Sequence, residues 1–236
     1  MPRTAHVQLV LSTDVVSWKD AQRVTRALRR QAREHFAPVY GLRADVELVP
    51  RGREDEGAWQ IAIVGDARSA DDEGWHELTA GGRPLGKVLA RQAIEDTGGW
   101  SSTASHELLE LLADPDMSLT VVACDGGRTR LFAYEICDPV QDDRYGYFID
   151  RMRVSDFVYP AWFESFHPRG EARFDHRGAC ARPLQILPGG YASVTHSDWE
   201  RGWRDLGPSR GKPGKSRGSR RGRRRVARAS WRKSQR

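Results

Sequence analysis

The last thirty residues limit what this chain can fold into. Residues 207–236 (GPSRGKPGKSRGSRRGRRRVARASWRKSQR) hold 13 Lys or Arg and no acid, interleaved with Gly and Ser and almost free of aliphatic side chains. Such a segment cannot bury enough apolar surface to offset the entropy of ordering it, so it is expected to be disordered. Any packed core must then come from residues 1–206. There, 25 of the chain's 38 bases stand against all 32 acids, a formal charge of −7, so the overall +6 describes an acidic body with a basic tail. Arg220, Arg221, Arg223, Arg224 and Arg225 form the densest basic run. That run is an electrostatic handle for RNA or DNA, expected to bind without sequence preference and to weaken with salt. Trp231 alone could add base stacking. Docking on the acidic body, or simple solvation, are the plainer readings of the same tail.

The remaining 206 residues suffice for one substantial domain. No apolar run approaches the roughly 18 residues of a membrane span. The first residues, MPRTAH, lack the pattern of a secretory signal, so a cytoplasmic protein is expected. Cys124, Cys137 and Cys180 are odd in number and widely spaced, which fits neither a disulfide framework nor a CxxC zinc site.

Periodicity predicts a buried strand at residues 6–11 (HVQLVL). A helix from a Ser17/Asp20 capping box to about Phe36 should follow, burying Trp18, Ala21, Val24, Thr25, Leu28 and Ala32. Its Arg23, Arg26, Arg29, Arg30 and Arg33 read as a solvated face. Strands are expected at residues 45–49 and 59–64, then at 75–79 and 85–90 around the turn signal Gly81-Gly82-Arg83-Pro84. After a loop through Gly98-Gly99, a helix over residues 103–113 should stop at Asp114-Pro115, because proline disfavours helical geometry in the residue before it. Residues 119–191 read as irregular and strand-containing, with one short helix at 160–166.

Residues 101–115 (SSTASHELLELLADP) carry the chemistry. At about 100° per residue, with His106 at 0°, Glu110 falls at about 40°, Asp114 at about 80° and Glu107 at about 100°. Leu111, Leu108, Leu112 and Leu109 take the opposite side, so a greasy back should lie on the sheet and the ionisable groups should share a front. An imidazole and a carboxylate at i and i+4 reach one cation, as the two histidines of H-E-x-x-H do, and the Glu beside them can take a proton from metal-bound water. Here the string is H-E-x-x-E, a spacing also common on solvated helix faces. Exchanging imidazole for carboxylate adds negative charge and weakens the metal as a Lewis acid. His76, beside Glu77, could line the same cleft. His167, His176 and His196 sit in polar, turn-rich surroundings and read as surface residues, and Cys137 reads as a buried thiol or a soft ligand. There is no P-loop, no G-x-G-x-x-G and no nucleophile elbow.

The phrase Ser105-His106-Glu107-x-x-Glu110-x-x-x-Asp114-Pro115, followed by Tyr134-Glu135-Ile136-Cys137-Asp138-Pro139, resembles a zincin-like family of bacterial and phage proteins, and distantly the exordium-like, phosphate-induced proteins of plants. The runs GWHELT with GRPLGKV (residues 74–79 and 82–88) and VSDFVYPAWF (residues 154–163) are similar to the segments those proteins carry before and after the helix. The resemblance implies a zincin-like α+β fold: a mixed sheet with an N-terminal helix and a metal-site helix packed on it, over residues 1–206. It implies that His106 and Glu110 ligate a divalent metal, that Glu107 is the general base and that Glu135 is a third ligand, which Asp138 or Asp114 would replace or support. Zn2+ is the expected ion, with Ca2+ and Mn2+ left open. The implied activity is hydrolysis of a peptide-like substrate. The alternative is an inactive zincin-like protein with a structural metal, working through its nucleic-acid-binding tail.

Overall fold

The computed structural model describes residues 4–65, 74–125, 127–196 and 203–207. The tail's expected disorder and the five arginines Arg220, Arg221, Arg223, Arg224 and Arg225 lie outside the described residues, as do most of the polar segment 65–74 and the side chain of His196.

Strand β1 (Thr4–Leu11) is an interior strand of a five-stranded sheet and buries successive residues, Val7, Gln8, Leu9 and Val10. Burial on both faces explains its unbroken apolar run. Its one polar interior residue, Gln8, is satisfied by the Glu47 carboxylate and by the Asp55 amide, which donates to it at 2.7 Å. With β2 (Arg43–Pro50), β3 (Trp59–Val64), β4 (Gly74–Leu78) and β5 (Pro84–Leu89), the sheet order is β2-β1-β3-β5-β4. Four of the strands are parallel, and only the edge strand β4 runs antiparallel, to β5.

Helix α1 (Trp18–Gln31) begins at the expected cap, where the Ser17 hydroxyl oxygen accepts the Asp20 amide and the hydroxyl donates to the Asp20 carboxylate. Two expectations are corrected here. Trp18 is 41% exposed, and the buried stripe instead runs through Ala21, Val24, Thr25, Ala27, Leu28 and Gln31. Nor does the helix stop at Phe36. It passes through a π-helical turn (Ala32–Phe36) into α2 (Ala37–Tyr40) and ends at Gly41, whose φ of 73° is one that glycine tolerates. Pro38 brings no N–H to the ladder, and a wider turn before it is the usual accommodation.

A short helix, α3 (Ala90–Thr97), fills what reads in sequence as a loop, and α4 (Ser101–Ala113) follows it. The C-terminal part is more regular than expected. Strands β6 (Thr120–Asp125), β7 (Arg128–Ala133), β10 (Ala192–His196) and β11 (Arg204–Leu206) form an antiparallel sheet in the order β11-β10-β7-β6, and β8 (Tyr147–Ile149) and β9 (Met152–Val154) form a separate hairpin. The short helix there is a 3-10 turn at Pro160–Phe163. The architecture is α+β with mixed and antiparallel sheets. Among the described residues no helix is long and apolar enough to cross a membrane.

Helix α4 packs against β4 and β5 on one side and β9 on another, and it is buried from Ser102 through Leu112. The serine before His106 is what ties it in place. The Ser105 hydroxyl donates to Gln31 Oε1 on α1 at 2.7 Å, and its oxygen accepts the Ser155 amide at 2.9 Å. Gln31 in turn donates to the Ser155 carbonyl and to the Tyr147 hydroxyl. Ser105→Ala leaves a buried amide oxygen and a buried N–H unsatisfied, and is expected to cost about 1–3 kcal/mol, read as a lowered urea midpoint at unchanged slope.

Candidate metal centre

The leucines of α4 are buried as expected, but so is its polar arc: His106, Glu107 and Glu110 are 8%, 1% and 0% exposed. The front of the helix does not face water because the β4–β5 hairpin lies over it. Only His76 is buried in β4, since Trp75 and Glu77 alternate to the other face, where Lys87 meets both. Opposite His76 in register stands Gly86, and a side chain there would meet Ile61 and the Glu107 Cβ. At Gly74, two residues earlier, a Cβ would come within 2.8 Å of Thr103 and 3.1 Å of Glu107 Oε1. The two glycines let the hairpin come close enough for its histidine to reach the helix carboxylates.

The cluster has Glu110 at its centre. Its Oε1 accepts the Cys137 amide at 3.3 Å, which leaves Oε2 lying 3.2 Å from His106 Nε2 and 3.6 Å from His76 Nδ1. His106 Nε2 is also 3.3 Å from Asp138 Oδ1. His76 Nδ1 is 3.4 Å from Glu107 Oε2, while its other nitrogen, Nε2, is 3.5 Å from Glu135 Oε2. All six side chains are buried. Two sets of ligand atoms each lie within 4.8 Å of one another: His106, Glu110 and Cys137, and His76, Glu107 and Glu110. Both sets could hold a metal ion. Burial, then the carboxylates of Glu110 and Asp138, pushes the Cys137 thiol well above its ordinary range, so without a cation it remains a neutral thiol.

The residues singled out in sequence divide accordingly. His106, Glu107, Glu110, Glu135, Asp138 and His76 come together. Glu135 lies beside His76, whereas the carboxylate beside His106, besides that of Glu110, belongs to Asp138. Asp114 does not join as a support. Its oxygens accept the Ser118 and Leu119 amides at 2.9 and 3.0 Å, closing the turn after the helix. His167 pairs with Glu164 at the surface. His176 is not a surface histidine: it stacks on His35 and Phe157, and burial followed by the nearby His35, Arg173 and Arg177 lowers it to about 4. Beside it, sequence reasoning missed a fully buried carboxyl pair. Asp156 Oδ1 accepts the Phe157 and Arg177 amides, and Asp175 accepts those of Ala179 and Cys180. Burial, then the Asp175 carboxylate facing it, pushes Asp156 up to about 9.

Asp138 is held by its backbone: its carbonyl accepts the Tyr191 amide, and that of Pro139 accepts Leu187. Gly190 passes so close that a Cβ there would lie 2.2 Å from the Pro139 carbonyl oxygen. Gly190→Ala must therefore displace the Asp138 turn. It is expected to cost about 1–3 kcal/mol, as overpacking does, and to lower metal affinity, both readable by thermal melts with and without added zinc. No protein-family model, no curated protein and no solved structure matches this chain.

Proposed function

We propose that this protein is a metal-dependent hydrolase of the zincin type, acting on a peptide-like substrate. The observation that carries the reading is the approach of His106 Nε2 and Glu110 Oε2 to 3.2 Å, one helical turn apart, with Asp138 Oδ1 3.3 Å from the same nitrogen. One imidazole and one carboxylate, with the Cys137 sulfur within 4.8 Å of both, suit a borderline divalent cation such as Zn2+. Glu107, next on the helix, is the candidate general base. The α+β order, with its N-terminal helix and one antiparallel edge strand ahead of the motif helix, agrees with the zincin resemblance. When bound, the metal would lower the pKa of a coordinated water and polarise a carbonyl. His106 and Glu110 would hold it, with Cys137 as the third group the fold brings to them and Asp138 beside His106, while Ser105 fixes the helix that presents the first two.

The depth of the cluster favours a second reading. A catalytic metal keeps an open position, yet no side chain of this cluster is more than 10% exposed. A closed metal that staples α4 to the following segment would suit that burial, and the work would then fall to residues 207–236 as a nucleic-acid-binding tail. Elemental analysis and peptide turnover of wild type, His106→Ala and Glu107→Gln separate the readings. The hydrolase reading expects bound metal and turnover in wild type, loss of the His106 ion in the first variant, and an ion retained at His106 with turnover abolished in the second. Bound metal without turnover, together with polyanion binding that disappears on removing residues 207–236, supports the structural alternative. A wild type that holds no metal overturns both.

A further inference from the structure

We infer that the cluster is built for two divalent cations, bridged by Glu110. This rests on reading the cluster as a metal centre. The two histidines approach Glu110 through one oxygen but belong to different ligand sets, His106 with Glu110 and Cys137, His76 with Glu107 and Glu110. Each imidazole also has a carboxylate of its own, Asp138 for His106 and Glu107 for His76. The second nitrogen of His76 lies 3.5 Å from Glu135 Oε2, near enough for that carboxylate to orient the imidazole once its other nitrogen is ligated. Glu135 is thus a positioning residue for the second ion. A shared carboxylate between ions about 3.5–4 Å apart is the recurrent form of hydrolytic two-metal sites.

In this form Glu107 is a ligand. Glu107→Gln then loses turnover because the second ion leaves, and not because a base is missing beside a full metal complement. The chemical class of substrate is one hydrolysed by clamping the attacking water oxygen and the leaving oxygen or nitrogen together, a phosphoester or an amide.

Equilibrium dialysis of the full chain against Zn2+, with metal content measured per folded chain, provides the test. Wild type is expected to hold two ions, and His76→Ala and Glu107→Gln one each. Wild type holding one ion that His76→Ala retains overturns the second position and leaves the His106 centre standing. Two ions retained in His76→Ala overturn it as well, since the second then lies elsewhere. No ion in wild type removes the metal reading itself. Because a buried substitution can unfold the chain, the unaltered protein loaded with Mn2+ gives an independent answer. An exchange-coupled multiline electron paramagnetic resonance signal is expected, and an isolated six-line spectrum at saturation overturns the bridge.

Discussion

Glu110→Gln is expected to raise the dissociation constant for Zn2+ by at least about 100-fold, beyond the roughly 10- to 100-fold typical of residues one shell out. The amide keeps the shape of the side chain, and its carbonyl can still accept the Cys137 amide, so the turn after β7 stays in place. What is lost is the anionic Oε2 that faces both imidazoles. Zinc at 100 times the wild-type dissociation constant stabilises wild type by about 2.7 kcal/mol, and at the same concentration the variant gains only about 0.4 kcal/mol. Without metal the order reverses. Removing one of several like charges from a buried cluster relieves repulsion, so the metal-free variant should melt above metal-free wild type. Calorimetric melts of both proteins, with chelator and with zinc, read the two effects together. Equal zinc-induced shifts would mean that Glu110 is not a ligand.

Asp156→Asn is expected to flatten the alkaline limb of the stability curve. Asp156 ordinarily titrates near 3.8 but is raised to about 9 in the fold, so between these values the native state holds a proton that the unfolded chain has released. Stability from this group is complete below pH 3.8 and is lost at about 1.4 kcal/mol per pH unit as pH climbs towards 9. His176, lowered from 6.5 to about 4, and His35, also lowered by burial, act in the opposite sense below pH 6.5, where the unfolded chain takes up protons that they refuse. From pH 6.5 to about 8 the Asp156 slope is therefore free of these histidines, while closer to 9 the unfolded chain also begins to release the thiol protons that burial holds on Cys137 and Cys180. Across the lower span wild type should lose stability steadily, while the asparagine variant, whose amide can donate to Asp175, holds level. Urea unfolding at half-unit pH intervals checks this, and parallel curves would show that Asp156 is ionised in the native protein.

These two sites differ in how plainly the sequence announces them. The His106–Glu110 pair is legible because helix geometry alone fixes its spacing, and because the leucines at 108, 109, 111 and 112 force a helix. β1 and β3 are legible from their apolar runs, and α1 from its cap and stripe. Helix α3 is not, since only Ala90 and Ala93 of it are buried and no stripe announces it. His76 carries a faint signal: alternation in GWHEL places it on the face of Gly74, opposite the face of Trp75 and Glu77, but that this face is the inner one depends on pairing with β5. Nothing local shows that the polar arc of α4 is covered, because the cover is a hairpin some 30 residues earlier, admitted by Gly74 and Gly86. The Asp156–Asp175 pair is likewise a contact between separate loops, and although Asp156 falls within VSDFVYPAWF, nothing in that run points to Asp175 as its partner.

The claim on which the account depends is that His106 and Glu110 hold one cation. Anomalous diffraction at the zinc edge from zinc-loaded crystals tests it most directly. The account predicts a peak about 2.0–2.2 Å from both His106 Nε2 and a Glu110 carboxylate oxygen. Zinc density away from that pair, with the two side chains unligated, would contradict it.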